Sequence, residues 1–148
     1  DYVRKKYNLA VGEASAEFIK KEVGSALYLT KKITAEVKGR DIISGLPRII
    51  TVTSDDVVDA LQDDLAGLIA AVKQVLYNTP PELSADIMDK GIVLSGGTSL
   101  LRNMDELISQ AIGVPAYNSD DAILCVAKGT GIALENLDAY KRSILAAK

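Results

Sequence analysis

The chain has no histidine and no tryptophan, and only one cysteine and one phenylalanine among its 148 residues. Without an imidazole there can be no Ser-His-Asp triad, Cys-His dyad or histidine-ligated zinc site, so catalysis would have to rest on carboxylates, lysines or a bound cofactor. The single thiol, Cys125, can form neither an intrachain disulfide nor a thiolate cluster. Its place in the apolar run 122–127 predicts a buried small side chain in a reducing, cytosolic setting. No apolar run approaches the roughly 18 residues of a membrane span, and the N-terminal DYVRKKYN has no apolar signal core. A strong excess of charge is also missing. The formal net charge of -3 gives no global attraction to nucleic acid or anionic lipid.

What remains is ordinary globular material, 48% hydrophobic and 25% charged, enough for one domain with a core or two small subdomains. Residues 91–108 read GIVLSGGTSLLRNMDELI: a short buried strand, a Gly-Gly turn and an amphipathic run. Adjacent glycines at such a place form either a tight connection or a backbone that approaches a ligand more closely than any side chain allows. Neither a Walker A loop nor Gly-x-Gly-x-x-Gly occurs.

Residues 1–7 read as the end of a helix already in progress, so the chain is expected to begin partway through a fold. After a turn over 8–12, Ala16, Ile19 and Val23 recur at helical spacing over 14–23, with Gly24 as a stop. Glu17, Lys20 and Lys21 occupy the other face, where Glu17 and Lys20 lie one turn apart as a solvated ion pair or as part of a site. Alternation at Ile33, Ala35 and Val37, then LPRIITVTS, predicts a small antiparallel sheet. Thr53 offers an N-cap, and Val57, Leu61, Leu65, Leu68, Val72 and Val75 form one stripe of a long helix that Pro80 and Pro81 must end. The acidic doublets Asp55-Asp56 and Asp63-Asp64 are expected to face water near its start. Beyond the prolines come a helix over 82–88, the strand and Gly-Gly turn, a helix over 100–112, a strand over 115–118, and helices over 122–136 and 137–145. Gly129 and Gly131 inside a helix suggest close packing or close approach of another group. The prolines mark the best internal boundary.

Four segments change the balance: ASAEFIKKEVGSA, GRDIISGLPRIITVTS, TPPELSADIMDKGIVLSGGTSLLRNMDELI and CVAKGTGIALEN. In order and spacing they resemble the C-terminal part of the MreB family of bacterial actin-like cell-shape proteins. The resemblance implies an α/β fold, with an α+β outer subdomain over 8–80 and a partial ribonuclease-H-like, actin-like ATPase inner subdomain over 1–7 and 81–148. It implies ATP as ligand, with Mg2+ in the longer parent. Gly96, Gly97, Thr98, Ser99 and Leu100 match the family's adenosine-binding segment. Glu17, Phe18, Ile19 and Lys20 match the helix start that lies against adenine and ribose. The family commonly has a third glycine where this chain has Thr98, and a β-branched residue disfavours positive φ.

The resemblance further implies a cytoplasmic parent that self-associates into filaments on the inner face of the membrane and works with the cell-wall elongation machinery. Its membrane-binding element would lie in an absent first domain, and nucleic acid is not an expected partner. The glycine-rich phosphate hairpins of the family have no match here, so this chain alone is not expected to hydrolyse ATP. A freestanding interaction domain that has lost nucleotide chemistry is the alternative reading. A metabolic kinase of the same superfamily is disfavoured, because the matched segments extend well beyond the Gly-Gly turn.

Overall fold

A computed structural model describes residues 1–145. Helix α1 (Tyr2–Tyr7) leads through Asn8 into strand β1 (Leu9–Ala10) and helix α2 (Glu13–Val23). Strands β2 (Thr34–Asp41) and β3 (Pro47–Thr53) form a hairpin, and helix α3 (Ser54–Tyr77) follows directly. Helix α4 (Pro81–Lys90) precedes strand β4 (Ile92–Leu94), a one-turn 3-10 helix (Gly97–Leu100), helix α5 (Met104–Ile112) and strand β5 (Ala116–Asn118). Helices α6 (Cys125–Glu135) and α7 (Leu137–Leu145) complete the described chain.

The predicted antiparallel sheet is present, with Val37 opposite Ile50 and Ala35 opposite Val52. It also has a third strand, β1, where a turn was expected, with Leu9 opposite Asp41. Two residues are too short to show a period, although Leu9 is fully buried. Val37, Val52, Ile19, Val23 and Val57 make the core between this sheet, α2 and the start of α3. A second core of Ala26, Leu65, Met104 and Ile108 joins α3 to α5, and Leu61 packs against both clusters. Beneath α5, β4 and β5 pair in parallel, with Val93 opposite Tyr117.

Thr53 caps α3 as its sequence suggests, and Asp56 completes a reciprocal capping box. The expectation that the first acidic doublet faces water fails here. Asp56 is only 3% exposed, and its carboxylate accepts from Lys6 Nζ at 2.5 Å, Tyr7 Oη at 2.9 Å and the Thr53 amide at 2.8 Å. Asp55 is half-buried and ion-paired with Lys32 at 2.6 Å. A chain segment crossing over the helix start turned a solvent-facing position into an inward one.

Other expectations are corrected as well. Helix α5 starts at Met104 rather than near residue 100, because Leu101 is extended and Asn103 is left-handed at φ 59, which no helix continues through. Cys125 is half-buried rather than buried, with its Sγ 3.0 Å from Ser119 Oγ. A Cβ at Gly129 or Gly131 would meet open space, so among the described residues nothing approaches those glycines. The stripe on α3 is buried only at its N-terminal end, and Val75 is 67% exposed.

Candidate functional site

A cleft of about 750 Å³ opens between three elements. Helix α2 contributes Glu17, Lys20 and Lys21; α3 contributes Asp64 and Leu68; the loop after β4 contributes Gly97, Thr98, Leu100 and Arg102. Its size is that of a small-molecule site. Segments some eighty residues apart meet here because the isolated bridge between Ser25 and Arg102 ties the end of α2 to that loop.

The two glycines of the turn do different things. Gly96 sits at φ 87, where an L side chain is strained, and its amide donates to the Ala122 carbonyl at 2.6 Å. Gly97 has an ordinary φ, and a Cβ there would meet no atom within 4 Å. It therefore leaves open space on the cleft side rather than relieving backbone strain. Thr98 adopts no positive φ, so the 3-10 turn accommodates the β-branched residue without the strain that its sequence suggests. Ser99 is buried, and its Oγ donates to the Gly96 carbonyl at 2.7 Å, bracing the turn from beneath.

Of the residues singled out from sequence, Glu17, Lys20, Gly97, Thr98 and Leu100 line the cleft together. Ile19 packs in the core on the opposite face of α2, Phe18 is half-exposed outside the cleft, and Gly96 and Ser99 support the turn without lining it. The ion pair on α2 joins Glu17 to Lys21 at 2.7 Å rather than to Lys20. The hydrogen bond from Lys21, then its charge, holds the Glu17 carboxyl below its ordinary range, so Glu17 is an ionised acceptor at neutral pH. The i,i+4 spacing could have pointed to Lys21. Asp64 and Arg102 reach the cleft only through tertiary packing, and no local pattern signals them.

At the joint between walls, Gly24 is extended at φ -64, so its backbone suits any residue, yet an added Cβ would lie 2.1 Å from the Lys20 carbonyl oxygen. Gly24→Ala is expected to destabilise the protein by about 1–3 kcal/mol through overpacking. Urea denaturation checks this, and an unchanged midpoint would contradict the tight joint.

A helix-covered parallel strand pair, a Gly-Gly turn and an outer antiparallel sheet around one cleft define part of an actin-like fold. The filament protein MamK, in the structure of its double helical filament, shares that fold over 85% of this chain, with TM-score 0.64 and 18% identity. The chain belongs to the MreB/Mbl protein family, whose profile matches residues 1–142. It is 43% identical over 145 residues to the cell shape-determining protein Mbl of Bacillus cereus, covering 98% of this chain and 44% of that protein. It is 44% identical over 140 residues to the cell shape-determining protein MreB of Escherichia coli, covering 95% of this chain and 40% of that one. The crystal structure of MreB5 of Spiroplasma citri bound to ADP superposes with TM-score 0.88 at 35% identity, over 92% of this chain and 41% of that one. The chain thus spans less than half the length of these relatives.

Proposed function

We propose that the chain is the second-domain part of an actin-like, ATP-binding filament protein that determines cell shape, and that its cleft is the adenosine half of the nucleotide site. The convergence of Glu17 and Lys20 with Gly97, Thr98 and Leu100 on one cleft is the observation that carries this reading. Residues 8–80 form the outer subdomain of that domain, and residues 1–7 with 81–148 form part of the inner one. The names of the relatives, and the ADP in the Spiroplasma structure, support it.

The residues present fit an adenosine moiety. Gly97 leaves the space a Cβ would fill, Glu17 offers an ionised acceptor to ribose hydroxyls, and Lys20 supplies a cation. Bound ATP supplies the phosphoanhydride whose cleavage is coupled to assembly. In this reading Mg2+ and the phosphates would be held by the glycine-rich hairpins of the longer parent. The parent would polymerise on the inner face of the membrane and organise cell-wall elongation, with its membrane contact outside this chain.

Titration separates this reading from a freestanding interaction domain. The full-length protein is expected to bind ATP, and Glu17→Ala is expected to weaken it about tenfold, the scale of one hydrogen bond to a charged group. The 148-residue chain alone should bind weakly or not at all. Unchanged affinity in Glu17→Ala, or tight magnesium-dependent binding by the short chain, would count against it.

A further inference from the structure

Arg102 has no role in the adenosine contacts described above, yet it joins the two walls that supply them. Its Nη1 donates to the carbonyl of Glu22 at 2.9 Å and to that of Gly24 at 3.1 Å, at the last turn and cap of α2. Carbonyls at a helix C-terminus lack partners within the helix and carry partial negative charge, so a cation is favourable there. The main chain of Arg102 closes the same joint. Its carbonyl accepts from the Ala26 amide at 2.8 Å and from Ser25 Oγ at 3.4 Å. There is little slack between the pieces, since a Cβ on Gly24 would also come within 2.8 Å of Leu101 Cδ1.

We propose that Arg102 is a positioning residue for the nucleotide cleft. By clamping the C-terminus of α2 onto the loop, its guanidinium fixes the spacing between Glu17 and Lys20 on one wall and Gly97 and Thr98 on the other. The inference rests on the nucleotide reading of the cleft. The side chain itself is exposed, so its removal opens no core cavity, and the main-chain bond from Ala26 keeps the two segments attached. The spacing of the walls then loosens while the fold persists.

The test uses the full-length protein carrying Arg102→Ala or Arg102→Lys, with fluorescent ADP and a non-hydrolysable ATP analogue as probes and thermal melting without nucleotide. Arg102→Ala should weaken both probes by the same factor, about tenfold. The melting temperature without nucleotide should fall by no more than about 2–4 °C. Arg102→Lys, whose ammonium can still donate to the α2 carbonyls, should recover most of the affinity. Equal losses exclude a contact from Arg102 to the γ-phosphate, for which the loss would grow from ADP to the ATP analogue. That growing loss would overturn the proposal, as would unchanged affinity, a lysine variant no better than alanine, or an Arg102→Ala protein that does not fold. Gly97→Val separates the two levels: if it leaves affinity intact, the site reading fails. If it weakens binding while Arg102→Ala does not, only the positioning role fails.

Discussion

Asp56→Ala is expected to cost about 3–4 kcal/mol of folding stability, combining the loss of a helix cap with the loss of a buried carboxylate that accepts from the exposed Lys6 and from Tyr7. For a protein of this size that is a fall in melting temperature of roughly 6–15 °C. One carboxylate does two jobs here. It completes the capping box with Thr53 at the start of α3, and it receives Lys6 and Tyr7 from α1. Alanine removes the acceptor for all of them. Asp56→Asn keeps an acceptor but no charge, and is expected to fall between wild type and alanine.

The same group sets the response to acid. Burial would raise the Asp56 carboxyl, but hydrogen bonds from Lys6, Thr53 and Tyr7 outweigh burial and hold it below the ordinary range. A folded-state value below the unfolded one contributes stability that is complete above the unfolded pKa, about 3.9, and is lost as pH falls through the folded value. Asp41 shifts in the same direction, held down first by the Ser44 amide against an opposing desolvation. Urea midpoints should therefore be flat around neutrality with respect to these groups and fall below about pH 4. In Asp56→Ala that acid-side decline should be shallower, and an unchanged slope would contradict the assigned network.

The second large effect is on binding. Gly97→Val in the full-length protein is expected to reduce nucleotide affinity about a hundredfold, close to 3 kcal/mol. The backbone at Gly97 is not in the left-handed region and a Cβ there meets nothing, so a valine side chain is expected to project into the cleft rather than strain the backbone. Stability should barely change. Gly96→Val provides the contrast, because φ 87 makes any L side chain strained, and it should lower stability itself. Calorimetric titration and urea denaturation of both variants check the pair. Unaltered ATP binding by folded Gly97→Val would place the ligand elsewhere.

Local chemistry made much of the fold legible. The Thr53 cap, the proline stop after Tyr77, and the alternation at Ile33, Ala35 and Val37 each depend on a few neighbouring residues, and each has its expected counterpart. What escaped depended on distant partners. Asp56 is inward only because α1 crosses it, β1 exists only because β2 offers an edge, and Asn103 interrupts a plausible helix because the preceding residue bridges to Ser25. For the cleft, residue types at Glu17 and Gly97 suggested a site, while Asp64 and Arg102 carried no local sign of their place in it. The exposed apolar side chains of α6, such as Val126 and Leu134, ran against the simple expectation that apolar runs are buried.

The bridge between Ser25 and Arg102 also orders events in time. The β2–β3 hairpin closes through a short connection and can form on the scale of about 1–10 μs, and α3 needs only neighbours to begin. The Ser25–Arg102 contact spans far more chain and cannot be rewarded until the segments between have found their places. The cleft is therefore expected to be among the last parts to become native, so that ligand binding at it would report completed folding rather than early collapse.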